Sequence, residues 1–556
     1  GRLATQRDGP VLIGALIESV ADLARENLVA ILNRAERLAE RRPDRGDLIG
    51  QTEQTLYGLC WAGLAQLAAS VLARDTPQTL FRRFDSAEAT FRQVEVLSAM
   101  HPHLAREGIE IVNTFAGPRH LARLLQHASR QFMGFGIAGL PAPAGVAEAA
   151  WRPWLKRRAV NKPVIWPNHR AAIQTGLLER GVSGVLVLPT GAGKTTLSEL
   201  KIAAALASGR KVIFLAPTLA LVDQLRDEFA RTFSSDLGQV IVSTDGDLSA
   251  LVSGPSLSEI EVMTPERLLA MLSFADADLS DVGLIVFDEC PLLAPRGGGT
   301  RSLDAMLCLL HAARRAPDAD FLLLSAMLIN GDDLAEWLGE LTGRHAVFFH
   351  DPWKPSRQAR GVVLYPQDEL NQFRRDVQNG MRPRPTYPAT PHALFGLQQN
   401  WIAAAGTDTA VVKLMDEAVH LTTGAYGLQP TANTVAGVLA ERASQAGLKT
   451  IIFVQQADHA PSTARKISER LMGPWRMTET EQGFAADIAV ELGTGKSLVQ
   501  PQAGAVPHNG DMIPLERRLA ESLYRREDGA AIIVATPALA QGINLPAQVA
   551  ILAGDK

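Results

Sequence analysis

The sequence predicts an α/β chain with two regions of parallel sheet, preceded by a region that is helical throughout. Three observations carry that prediction. From Trp166 onward, short runs that are apolar on both faces alternate with helical segments: Val182–Leu188, Val212–Ala216, Val240–Val242, Leu284–Phe287 and Phe321–Leu324. Strands of that kind belong to parallel sheets covered by helices on both sides. The same texture returns at Thr450–Val454 and Ala531–Ala535 after an interruption. Upstream the period changes, with Leu12, Leu16, Val20, Leu23, Leu28 and Leu32 recurring at helical spacing within Val11–Arg41. Gln51–Ala73, Ser86–Met100 and Pro118–Phe132 read the same way.

These textures divide the 556 residues into a helical region (1–150), a first sheet region (151–365), a partly helical, proline-rich linker or insertion (366–447) and a second sheet region (448–556). Met381–Pro391 carries four prolines and is expected as extended linker. A hydrophobic content of 46% with 21% charge is that of an ordinary globular chain, and a net charge of -4 selects no partner by itself. Cys60, Cys290 and Cys308 have neither zinc spacing nor a disulfide framework, which fits a reducing cytoplasm. Gly58–Ala73 is apolar but short for a membrane span, so no membrane partner is expected. The chain begins Gly-Arg with no signal-like pattern, which reads as a fragment boundary. His101, His103, His120 and His127 are scattered and form no metal-ligand pattern.

The chemistry concentrates where strand 182–188 runs into Pro189-Thr190-Gly191-Ala192-Gly193-Lys194-Thr195-Thr196 and then a helix. A strand, a glycine loop and a helix in that order make a phosphate-binding loop. The glycines let backbone N–H groups and the helix N-terminus face an anion. Lys194 is placed to neutralise β- and γ-phosphates, and the Thr195 hydroxyl to ligate Mg²⁺. Ninety-four positions beyond Lys194, the apolar run Leu284–Phe287 ends in Asp288-Glu289. Asp288 suits the second protein anchor for Mg²⁺ on a neighbouring strand, and Glu289 suits orienting or deprotonating a water. ATP and Mg²⁺ are therefore the expected cofactors.

Further segments follow in fixed order. Ala216-Pro217-Thr218 begins a run to Gln224 after the second strand; Thr264-Pro265-Glu266-Arg267 and Ser325-Ala326-Met327 follow later strands. Pro507–Arg517 and Ala535–Ala547, with Thr536, Gly542 and Asn544, lie in the last region, and Trp353-Lys-Pro-Ser356 closes the first. This ordered series resembles superfamily 2 helicases of the Ski-like branch, which includes the archaeal Hel-type repair helicases, over about residues 160–365 and 448–556.

The resemblance implies two RecA-like lobes, behind the all-α N-terminal domain, that close on ATP and open after hydrolysis to step along one strand. It implies backbone contacts to nucleic acid at Pro217, Thr218, Thr264, Pro265, Arg267 and Thr536. Nucleotide contacts are implied at Gly542 and Asn544, and a coupling element at Ser325, Ala326 and Met327. Single-stranded DNA is the favoured track, with RNA as the alternative and 3′ to 5′ polarity. Two other readings stand beside this one. One is a motor subunit of a bacterial anti-phage defence complex, docking a partner nuclease through its N-terminal helices. The other is a nucleic-acid scaffold with a weak ATPase.

The chain departs from the family pattern at three places. Motif II continues as Cys290-Pro291, and Met327 replaces a threonine, which together break the expected side-chain link between the nucleotide site and the coupling element. His169, in Trp166-Pro-Asn-His169, replaces a glutamine expected to read adenine; it is assigned either that role or simple packing. The arginine-bearing motif VI is absent before Lys556, so the numbered chain is expected to bind ATP and hydrolyse it poorly. Lys156-Arg-Arg158 with Trp151 and Trp154 is weighed as a nucleic-acid contact against a solvated helix face with buried tryptophans, and the basic loop Pro295–Arg301 as a contact to strand or duplex.

Overall fold

The computed structural model describes residues 11–39, 48–77, 84–99, 115–233, 242–243, 257–274, 278–293, 300–355, 359–378, 386–396, 408–424, 427–428, 432–473, 475–537 and 545–554. The chain divides into two compact units, Gly1–Pro355 and Ser356–Lys556.

The first unit opens with helices α1 (Val11–Ala24), α2 (Leu28–Ala39), α3 (Leu48–Val71), α4 (Ala87–Leu97), α5 (Ala116–Phe135), α6 (Glu148–Asn161) and α7 (Pro167–Gln174). The continuous helix expected over Val11–Arg41 is broken at Glu26, whose φ of 59° belongs to the left-handed region. Helix α3 is the core of this region, with Trp61, Leu64, Leu67 and Ala68 fully buried. Ser86 caps α4 by accepting the Ala89 N–H at 3.1 Å. Among the described residues, no helix is long and apolar enough to cross a membrane.

The sheet strands of this unit are β1 (Val182–Val187), β2 (Lys211–Leu215), β3 (Val242–Ser243), β4 (Ile260–Met263), β5 (Val282–Phe287), β6 (Asp320–Ser325) and β7 (His345–His350). Between them run α8 (Lys194–Ala207), α9 (Leu219–Phe233), α10 (Pro265–Phe274), α11 (Thr300–Arg315) and α12 (Gly331–Thr342). The order is β3-β4-β2-β5-β6-β1-β7, and every pairing is parallel. One sheet face packs on α8, α9 and the N-terminal helices in a single cluster running from Leu16 through Trp61 and Trp154 to Leu324. The N-terminal helices are thus packed onto the first sheet. The other face packs on α10, α11 and α12.

This packing decides between the two readings of the basic cluster. Trp151 and Trp154 are buried to 0% and 1% exposure, and Trp154 stacks on Phe233 with centroids 5.8 Å apart. They are core, with no ring face for a base. Arg158, from the same basic cluster, pairs with Glu199 of α8, which is 1% exposed.

The second unit contains β8 (Arg360–Leu364), α13 (Gln367–Gln378), β9 (Thr386–Ala389), β10 (His392–Gly396), β11 (Thr409–Lys413), β12 (Val419–Gly424) and β13 (Gly427–Leu428). It continues with α14 (Ala432–Gln445), β14 (Thr450–Phe453), α15 (His459–Ser468), α16 (Glu479–Leu492), β15 (Ala505–His508), α17 (Pro514–Arg525), β16 (Ile532–Ala535) and β17 (Val549–Leu552). Strands β15-β16-β14-β17 form a parallel sheet. The segment expected as linker or insertion, together with β8 just before it, builds two three-stranded antiparallel sheets, β11-β10-β8 and β13-β12-β9. Pro388 sits in β9, an edge strand, where a missing N–H is tolerated.

Candidate nucleotide site

The chain leaves β1 at Leu188 and enters α8 through two left-handed glycines, Gly191 at φ 79° and Gly193 at φ 83°. Their surroundings differ. A Cβ on Gly191 would meet nothing within 4 Å, whereas one on Gly193 would lie 2.2 Å from His169 Nε2 and 3.2 Å from Trp166 Cζ3. Gly193 is therefore required twice, by its backbone conformation and by the close approach of a ring. It is also the N-cap of α8 and supplies no side-chain cap. Thr190, Gly191 and Thr195 are exposed around this end, Thr196 is partly exposed and Ala192 is buried. Uncapped first-turn N–H groups beside exposed hydroxyls are what an anion needs.

His169 braces the loop from beneath. It is 2% exposed; its Nδ1 accepts the Trp166 N–H at 3.2 Å, and its Nε2 lies 3.1 Å from the Ala192 carbonyl oxygen. With Nδ1 an acceptor, Nε2 carries the proton and donates. Asn168 Nδ2 donates to the same carbonyl at 2.8 Å. Burial holds His169 well below the ordinary histidine range, down to about 4, against the opposing bonds from the loop backbone. The ring is neutral, and both nitrogens are committed to protein. Packing, not adenine reading, is the role this geometry supports.

Lys194 Nζ donates to the Leu188 carbonyl at 3.1 Å. Burial lowers its pKa, while Glu289 and Asp288 oppose that shift. Asp288 follows β5, which is not adjacent to β1 as expected; β6 lies between them. The three charged groups still meet at one end of the sheet. Burial, and then the neighbouring Glu289, push Asp288 up to about 6. Its Oδ1 accepts the Glu289 N–H at 3.0 Å. A crowded acid of this kind, near Lys194 at the start of α8, fits a divalent cation, whose charge would reverse that shift. Glu289 has φ 54°, a strained value for a residue with a side chain.

Ser325 ends β6, fully buried. Its hydroxyl accepts the Met327 N–H at 3.0 Å and lies beside the Cys290 thiol. Ala326 is partly exposed and the Met327 side chain is 84% exposed. Pro217 is buried and Thr218 partly exposed after β2; Thr264, Pro265 and Arg267 begin α10. Arg301, at the start of α11, joins these two segments. Its guanidinium donates to the Pro217 carbonyl and pairs with Glu266 at 3.0 Å. Arg301 and Asn168 carry structural roles that sequence motifs do not signal, because their partners are backbone carbonyls remote in sequence. Residues 294–299 of the basic loop lie outside the described residues.

In the second unit Thr536 follows β16, and its N–H donates to the His508 carbonyl at 3.2 Å. The His508 ring meets Glu521 at 3.0 Å. Gly542 and Asn544 lie outside the described residues.

Comparison with known proteins agrees with the strand-end series. Residues 166–334 match the DEAD/DEAH box helicase family. The match lies within the α/β part of the first unit. The chain is also similar in sequence to proteins named Hel308. It is 31% identical over 209 residues to "ATP-dependent DNA helicase Hel308" of Thermococcus kodakarensis, covering 37% of this chain and 17% of that protein. To the protein of the same name from Methanocella arvoryzae it is 24% identical over 399 residues, covering 70% of this chain and 45% of that protein. The chain thus spans less than half the length of these curated relatives. It is also similar to a solved structure titled DUF1998 helicase MrfA bound to DNA and AMPPNP, with 18% identity and a TM-score of 0.45, covering 75% of this chain and 47% of that one.

Proposed function

We propose that the chain is the ATP-hydrolysing motor of a cytoplasmic nucleic-acid helicase or translocase that moves 3′ to 5′ on single-stranded DNA. The observation that carries the reading is the assembly of Lys194, Asp288 and Glu289 at the mouth of a loop held open by two left-handed glycines. The Hel308 relatives, named ATP-dependent DNA helicases, support ATP and DNA as substrates.

In this reading the loop amides and Lys194 hold the β- and γ-phosphates. When bound, Mg²⁺ supplies charge neutralisation at the transferring phosphoryl group, with Thr195 and Asp288 as the residues that hold it. Glu289 accepts the proton of the attacking water. Arg301 fixes the spacing between the Pro217-Thr218 and Thr264–Arg267 segments, which meet successive backbone phosphates. Contacts to backbone alone give low sequence selectivity and strong salt dependence.

The test is ATP hydrolysis by the full-length protein, with and without single-stranded DNA or RNA, together with displacement of strands from substrates with 3′ or 5′ tails. The expected result is hydrolysis stimulated by DNA, abolished by Lys194→Ala, with displacement from 3′ tails alone. Hydrolysis that DNA leaves unchanged would refute the motor reading.

A further inference from the structure

Arg301 belongs neither to the phosphate loop nor to the strand-end segments, yet it touches both segments read above as facing nucleic acid. The ends of β5, β2 and β4 lie side by side. The Asp288 N–H donates to the Leu215 carbonyl at 2.9 Å, and the Ala216 N–H to the Met263 carbonyl at 2.9 Å. Pro217, next in the chain, has no N–H with which to extend that ladder. Beyond it the Arg301 guanidinium spans the gap. Its Nη2 donates to the Pro217 carbonyl, and its Nε donates at 3.0 Å to Glu266 Oε1, in the first turn of α10. A planar fork that donates in two directions suits such a bridge.

Arg301 also stands in the first turn of α11. One buried cluster joins Cys290 and Leu293, which follow the acids Asp288 and Glu289, to Ala305 and Leu309 of α11 and to Leu268 of α10. A close-packed interior passes a displacement on rather than absorbing it. The pair with Glu266 adds little stability, since the two side chains are 45% and 37% exposed. What it fixes is geometry, by tying the ends of two neighbouring strands to one helix.

We infer that α11 and Arg301 form the lever that carries nucleotide state from Asp288 and Glu289 to the strand-contacting segments, with Arg301 as a positioning residue. The inference rests on the motor reading above and adds the route by which its ATP site and its strand site communicate. A change at the two acids shifts the turn that follows them. Helix α11 moves with that turn, and Arg301 carries the Pro217 and Glu266 segments along. The departures at Pro291 and Met327 leave this route intact, because it uses neither side chain.

The experiment measures the affinity of the full-length protein for a fluorescent single-stranded oligothymidylate by anisotropy, with AMPPNP or ADP bound, at several salt concentrations. Wild type, Arg301→Met, Arg301→Lys and Glu266→Ala are compared. For the wild type the two nucleotides should give affinities about tenfold apart. Arg301→Met should bring that ratio below about twofold, while AMPPNP binding without DNA stays at the wild-type level. Arg301→Lys keeps the charge and loses the fork, so it should resemble Arg301→Met; Glu266→Ala should lower the ratio in the same direction. Arg301 variants that keep the wild-type ratio, or that lose AMPPNP binding without DNA, would overturn the lever. So would an equal loss with both nucleotides and a salt slope reduced by about one, both restored by Arg301→Lys, which would make Arg301 a direct phosphate contact. A wild type that binds no DNA, or binds it equally with either nucleotide, would instead overturn the motor reading.

Discussion

Replacing each loop glycine by alanine separates backbone strain from close approach. Both residues hold φ near 80° (79° and 83°), a region that costs an L residue about 1–2 kcal/mol. At Gly191 that is the whole cost, because the space around its Cβ is open. At Gly193 the new methyl would lie 2.2 Å from His169 Nε2 and 2.5 Å from Cε1. The ring must move, and it is 2% exposed, with bonds at both nitrogens. Losing two neutral hydrogen bonds adds about 1 kcal/mol each, and stranding buried polar groups adds more. Gly193→Ala is therefore expected to cost about 3–5 kcal/mol against about 1–2 for Gly191→Ala. Urea unfolding followed by tryptophan fluorescence reads the difference. The decisive measurement is the double variant. With His169→Ala in place the closest remaining neighbour is Trp166 Cζ3 at 3.2 Å, so the cost of alanine at 193 should fall most of the way to that at 191. Equal costs for the two single variants, or additive effects in the cycle, would refute the argument.

Two other outcomes follow from buried charge. His169 titrates at about 4 when folded, against an ordinary value of 6.5; between those pH values the unfolded chain binds a proton that the folded chain refuses. Stability therefore rises with pH through that window, is complete above about 6.5, and is lost as pH falls, by about 3 kcal/mol at most. His169→Gln should flatten that part of a stability-against-pH curve, and an unchanged slope would count against it. Arg158→Met leaves Glu199 buried and unpaired beside Glu228, whose own pKa is raised by burial and then by Glu199. A loss of about 3–5 kcal/mol is expected in urea unfolding, largely recovered by adding Glu199→Leu; a loss below about 1 kcal/mol would show that the pair is not structural.

The parts of the site that a reader of the sequence can find are those made by contiguous chain. The loop from Pro189 to Thr196 declares itself because strand, glycines and helix are neighbours in sequence. Strand order is not of that kind. Nothing in Leu284–Phe287 says that β6 separates it from β1, because both are equally apolar. The tryptophans of α6 were ambiguous for a related reason. An aromatic beside a basic cluster reads alike whether its helix turns it inward or outward, and here the stack on Phe233 decides. The proline-rich segment misled because proline was counted as a breaker throughout, although an edge strand such as β9 accommodates it.

The departures at Pro291 and Met327 take a different meaning in three dimensions. From the sequence they read as one broken relay between the acids and the end of β6. Glu289, in the left-handed region at φ 54°, redirects the chain as it leaves β5. The next residue, Cys290, is 2% exposed and its thiol lies beside Ser325 at the end of β6. A side chain thus reaches the serine from one position before Pro291. Met327 joins the same serine through its backbone N–H, which any residue there provides, while its side chain points to solvent at 84% exposure. A hydroxyl at 327 would sit outside this network, and its loss costs the link nothing.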